Sequence, residues 1–150
     1  MRSIRDYQRA VTKGTPIGLA NAKAAVLRHR FWSAVAGADI PLNATQLGGG
    51  LLLPHPNGVV IHPLAVLGPN CIVFQQVTIG TGAKPGVPTI GGAVEIGPGA
   101  KILGGISVGD GATIGANALV THDVPAGAVV GAARAVPRDS VGFLAGTPRR

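Results

Sequence analysis

Residues 90–120 read IGGAVEIGPGAKILGGISVGDGATIGANALV, and one spacing runs through them: Ile90, Ile96, Ile102, Val108, Ile114 and Val120 recur every six residues. Val94, Ala100, Ile106, Ala112 and Ala118 hold the position two before most of them, and Gly91, Gly97, Gly109 and Gly115 follow four of the six directly. A period of six matches neither the 3.6 of a helix nor the 2 of an alternating strand. It fits very short strands that turn a corner after each hexad, with glycine supplying corner angles that other residues resist. Three such strands close a triangular coil of about 18 residues, and one aliphatic per hexad points inward onto its equivalent one coil away.

The same spacing extends toward the N-terminus. Ile61, Leu67, Val73 and Ile79 lead an earlier block, with Val59, Ala65, Cys71 and Val77 two places before them, and Leu47 and Leu53 form an outlying pair. These twelve hexads predict about four coils of an all-β solenoid. Cys71 fills a slot otherwise taken by Ala and Val, so it reads as a packing residue. The period breaks twice. Leu53 to Ile61 spans eight residues, which puts two extra around Pro54–Gly58, and Ile79 to Ile90 spans eleven, which makes Gly82–Thr89 a loop. Insertions in solenoids map to loops, often on the binding face, so these breaks are where function is sought.

Composition agrees with a repeat. The chain has 150 residues, 46% of them apolar and only 13% charged, which suits one folded domain and argues against disorder. Aromatics are 3% while Gly numbers 24, so the core must come from many small, regular contacts. No run approaches the roughly 18 apolar residues of a membrane span, and MRSIRDYQRAVTKGTP lacks the apolar segment of a secretory signal. The single cysteine excludes an intrachain disulfide and a multi-thiolate metal site. A cytoplasmic protein without membrane partners is expected.

The flanks differ from the repeat. Residues 19–37 are Ala-rich and Pro-free, predicting a helix with Gly37 near its end, on which Phe31 and Trp32 pack against the first coil. The hexad pattern fades after Val124-Pro125. The division expected is a helical segment at 1–38, a β-solenoid at 39–136 and a tail at 137–150.

Four histidines are candidates for chemistry near neutral pH. His55, in LPHPNG, sits at the first break, where a side chain meets a cleft rather than a flat wall; catalytic and surface roles weigh equally on that ground. His62 reads as a corner residue, His29 as a solvated helix face and His122 as a turn residue. No two have the spacing of a metal pair, so no metal site is predicted. Asp39 lies sixteen residues before His55, close to one coil, so it could stack beside the imidazole and fix its tautomer; the alternative is a connector residue.

The segment ADIPLNATQLGGGLLLPHPNGVVIHPLAVLGPNCIVFQQVTIGTG, followed by IGGAVEIGPGAKILGGISVGDGATIGANALVTHDVP, resembles the serine acetyltransferase branch of the hexapeptide-repeat acyltransferases. GAKILG with its flanking hexads, QQVTIGTG and the His before the NG turn fall in order. The resemblance implies a left-handed parallel β-helix, an exception to the usual right-handed crossover. It also implies acetyl-CoA as donor, and a homotrimer or dimer of trimers with active sites between subunits. Carried over residue by residue, it makes His55 the catalytic base and Asp39 its partner, with one extra residue between them. It lays the pantetheine arm of CoA along Gly80, Thr81, Pro98, Ala100 and Ala116, where small residues let backbone approach, and places Gln75 on the strand beside the site. The CoA phosphates would meet Lys101, Arg134 or Arg138.

The departures are as informative. The family's catalytic His follows an acid, whereas here Pro54 holds that place. Its loop carries Arg-His just before a Pro, whereas here Gly86 and Val87 stand there. The family's large N-terminal helical domain is replaced by about 38 residues. The expected activity is acetyl transfer from acetyl-CoA to the hydroxyl of a small acceptor, L-serine first. A sugar or polysaccharide acceptor is the second reading, which the departures favour, and a non-catalytic scaffold the third. The formal net charge of +7 comes without aromatic–basic interleaving or a nucleic-acid motif, so nucleic acid is not an expected partner.

Overall fold

The structure, a computed structural model, describes residues 4, 6–7, 16–41 and 46–133, with the side chains of 16–19 excepted. Helix α1 spans Pro16–Ala36 and precedes the strands. Proline suits the first turn of a helix because its missing N–H has no partner there in any case. Gly37, at φ +60°, ends the helix in the left-handed conformation. Its carbonyl accepts the Gly58 N–H at 2.8 Å, tying the helix end to the solenoid. Arg28 pairs with Asp6 across the helix surface.

The strands then wind. β1 (Val60–Ile61), β2 (Val66–Leu67) and β3 (Ile72–Val73) make one turn; β4 (Thr78–Gly80), β5 (Thr89–Ile90) and β6 (Glu95–Ile96) make the next. β7 (Lys101–Leu103), β8 (Ser107–Val108) and β9 (Thr113–Ile114) make a third, and β10 (Leu119–Val120) and β11 (Val129–Val130) belong to the last. All pair in parallel, giving three faces: β1-β4-β7-β10, β2-β5-β8 and β3-β6-β9-β11. The eleven strands wind through about four coils, the expected Leu47 and Leu53 hexads lie in front of them, and single bridges extend the ladder. Asp39, Leu47 and Leu52 add a looser coil in front, and Val124 completes the second face behind. The repeat therefore runs beyond the twelve hexads read from sequence, which ended at Val120.

Each hexad buries two side chains. The lead aliphatics Ile61, Leu67, Val73, Ile79, Ile90, Ile96, Ile102 and Ile114 are at most 1% exposed, and Val59, Ala65, Cys71, Val77, Val94, Ala100 and Ala112, two places earlier, are fully buried. Burying one Ile or Leu side chain contributes about 1.5–3 kcal/mol, so a column of small aliphatics replaces the missing aromatic core.

The corners differ from expectation. Gly91, Gly97, Gly109 and Gly115 do not take left-handed angles. Such angles fall three places after the lead residue, at Asn70, Gln76, Ala93, Gly99, Gly111 and Asn117. The glycine after the lead is needed for room: a β-carbon on Gly109 would stand 2.4 Å from the Ala126 nitrogen on the next coil.

Candidate active site

Asp39 enters the first face by main-chain bonds alone. Its N–H donates to Val59 O at 2.8 Å, and its carbonyl accepts the Ile61 N–H at 3.0 Å. This makes Val60 its partner, 21 residues on, and places Ile40 in the core above Ile61. The carboxylate therefore faces outward in one column with Val60, Thr78, Lys101 and Leu119. The neighbouring column on that face is His62, Gly80 and Leu103, followed by Thr121. Together they line a cleft of 390 Å³ whose walls include Asp39, His62, Thr78, Gly80, Thr81 and Leu103.

His55 lies elsewhere. It sits in the bend between the third face of the front coil and β1, exposed and beside the equally exposed Pro54. The near-coil offset of sixteen does not stack it on Asp39, because the front coil carries extra residues and Asp39 pairs 21 positions on. Among the described residues no hydrogen bond or ion pair joins the two within one chain. The corner just after His55 is well ordered by bonding: Gln76 N donates to Asn57 O at 2.9 Å, and Gln76 Nε2 to Asn57 Oδ1 at 3.0 Å.

The residues expected to meet CoA divide by face. Gly80 and Thr81 border the cleft, and nothing lies within 4 Å of where a β-carbon of Gly80 would stand. Pro98 and Ala116 sit after β6 and β9, on the corner that leads to the first face. Ala100 turns its methyl into the core, so only its backbone can meet a ligand. Lys101 stands in the Asp39 column, and its Nζ donates to Gln76 O at 2.8 Å. Gln75 is half-buried, and its Oε1 has no partner. Arg134 and Arg138 lie outside the described residues.

The second break is a loop at 82–88 that folds over the following coil. Gly105 N donates to Lys84 O at 3.2 Å, and a β-carbon on Gly105 would meet Pro85 O at 2.3 Å. Lys84 reaches Asp123 at 3.6 Å. Asp123 also accepts the Ser107 N–H at 2.9 Å, and this bond first, then Lys84, holds its carboxyl below the usual carboxylate range.

Two histidines differ from their sequence reading. His29 is half-buried rather than solvated: its Nε2 lies 2.7 Å from Ile40 O and 3.3 Å from Ser33 Oγ, joining helix to coil. No local signal in the helix could show this, because the partner carbonyl belongs to the first coil. His62 faces the cleft rather than serving only as a corner. Phe31 and Trp32 stack edge-to-face at 5.4 Å but stay 59% and 57% exposed, so the rings cover the first coil only in part. Cys71 packs as expected, with Sγ 3.1 Å from Gly91 O; burial pushes its thiol up in pKa. Among the described residues no group of three or more His, Cys, Asp or Glu is placed to hold a metal, and no helix is long and apolar enough to cross a membrane.

Three parallel faces, hexad-spaced aliphatics and an outward cleft define a hexapeptide-repeat β-helix. Residues 88–122 match the family described as bacterial transferase hexapeptide (six repeats). The chain is similar to serine acetyltransferases, whose structures share the left-handed parallel β-helix. It is 42% identical over 99 residues to the serine acetyltransferase of Synechococcus elongatus, covering 64% of this chain and 40% of that one. The serine acetyltransferase of Brucella abortus in complex with coenzyme A superposes with a TM-score of 0.72 at 31% identity, covering 89% of this chain and 52% of that one. Soybean serine acetyltransferase complexed with serine gives 0.71 at 33%, covering 87% and 52%. The chain thus spans about half the length of the relatives it matches.

Proposed function

We propose that the protein is an acetyl-CoA-dependent O-acetyltransferase acting on a small hydroxyl acceptor, L-serine in the first instance. The observation that carries this reading is the 42% identity with a serine acetyltransferase over 99 residues. The open floor at Gly80 supports it, since a thin acyl-carrier arm needs backbone it can approach.

In the proposed reaction His55 accepts the acceptor hydroxyl proton as the oxygen attacks the thioester carbonyl. Backbone N–H groups near Gly80–Gly82 would stabilise the oxyanion. The intermediate collapses, the C–S bond breaks, and the departing thiolate takes the proton back from the imidazolium. A base of this kind contributes on the order of 10²–10⁴-fold. Asp39 orients the His55 imidazole in this scheme. Assembly into trimers, or pairs of trimers, is supported by the exposed apolar row Leu27, Phe31 and Val35, spaced one helical turn apart. We place the enzyme in the cytoplasm, where its unpaired, buried Cys71 needs no oxidised partner.

A second reading rests on Pro54, Gly86 and Val87, which stand where serine-recognising groups are expected. A sugar hydroxyl would not need those charges. Thiol release from acetyl-CoA, measured with a panel holding serine and sugars, decides. Release with serine supports the first reading and release only with sugars the second. No release and no CoA binding sinks both. His55→Ala should abolish release with assembly intact, and near-normal turnover would remove His55 from the reaction.

A further inference from the structure

His62 is held in one tautomer by its own turn. Pro63 follows it, keeps its backbone extended and offers no N–H. The next amide, Leu64 N–H, donates to His62 Nδ1 at 3.2 Å. A neutral imidazole that accepts at Nδ1 carries its proton on Nε2. The neutral ring therefore offers Nε2–H as a donor. It is also on the cleft, half-buried, one rung from Gly80 and two from Leu103. Rungs are about 4.8 Å apart, so missing a side chain at Gly80 leaves a slot roughly 9–10 Å wide between the imidazole and the Leu103 side chain. The slot has an amide floor, an apolar wall and one donor.

We propose that His62 is a binding residue for the acyl donor, giving a hydrogen bond from Nε2–H to an amide or thioester carbonyl of the carrier arm lying over Gly80. The inference rests on the acyl-transfer reading and deepens it by dividing labour between two imidazoles: His55 as base, His62 as donor. The chemistry that fits the slot is a thin chain with carbonyl oxygens and apolar stretches, as in a pantetheine thioester.

The test is calorimetric binding of CoA itself to the full-length protein, which needs no acceptor. His62→Asn keeps an acceptor for the Leu64 N–H but has no donor at the Nε2 position. His62→Gln restores a donor near that position, and His62→Ala removes both. A neutral hydrogen bond contributes about 0.5–1.5 kcal/mol, so Asn and Ala should raise Kd about 3- to 10-fold and Gln should return it to within about twofold. Unchanged Kd in Asn and Ala, with wild type binding CoA, overturns the inference and leaves acyl transfer standing. Loss in all three variants, Gln included, overturns it too, because the ring would then be packing rather than donating. A wild type that does not bind CoA removes the acyl-transfer reading and this inference together.

Discussion

Asp39 and His62 stand on adjacent rungs of one face and border the same cleft, although 23 residues separate them in sequence. The Asp39 ladder bonds are main-chain, so its side chain is not needed to hold the rung. Asp39→Asn should therefore leave the thermal midpoint unchanged. If the carboxylate steadies the catalytic imidazole, kcat for thiol release should fall by about 10²-fold, within what a general base contributes. A change under twofold would remove Asp39 from the reaction.

Gly105 and Gly80 should respond oppositely to the same added methyl. At Gly105 the β-carbon would lie 2.3 Å from Pro85 O, so Gly105→Ala must push the 82–88 loop off its coil. Overpacking of this kind costs about 1–3 kcal/mol, readable by chemical denaturation, with faster proteolysis in the loop. At Gly80 the methyl meets open space, so Gly80→Ala should leave stability alone and raise the KM for acetyl-CoA severalfold. Equal stability losses in both variants would contradict this description of the two sites.

Asp123 sets a pH dependence for the loop tether. Its folded pKa is depressed by the Ser107 N–H and by Lys84. Its stabilising contribution is therefore present above the ordinary Asp value of about 3.9 and lost as pH falls through the lower folded value. Proteolytic protection of residues 82–88 should stay constant from pH 7 to about pH 4 and drop only below that. Asp123→Asn should reduce protection at pH 7. An onset near pH 6 would point to a different group.

Cys71 should be silent toward alkylation. Its side chain is fully buried, its Sγ meets the Gly68 and Gly91 carbonyls at 3.4 and 3.1 Å, and burial raises its pKa. Native protein at pH 8 should resist iodoacetamide, and denaturant should make it react stoichiometrically. Rapid labelling of native protein would mean that the coil around β3 opens readily.

The solenoid was legible because its information is local. A hexad carries its own inward residue, its own corner and its own length, so Ile90 to Val120 announces the coils without reference to distant chain. The reason for the glycine that follows many of the lead residues was not legible, because a close approach to the next coil looks in sequence like a conformational need. The weak front coil was harder still, since Asp39 joins it through a single bridge with no aliphatic pattern around it.

What the sequence alone determined is the repeat, the two breaks and the short set of residues able to do chemistry; hexad spacing needs only neighbours along the chain. Which of those residues share a cleft was decided by the tertiary structure. Coils of unequal length, 18 residues from Ile61 to Ile79 but 23 from Ile79 to Ile102, shift every later position around the triangle. A side chain's company therefore depends on the sum of all insertions between two rungs, and only the assembled ladder reveals that His62, not His55, stands beside Asp39 within one chain.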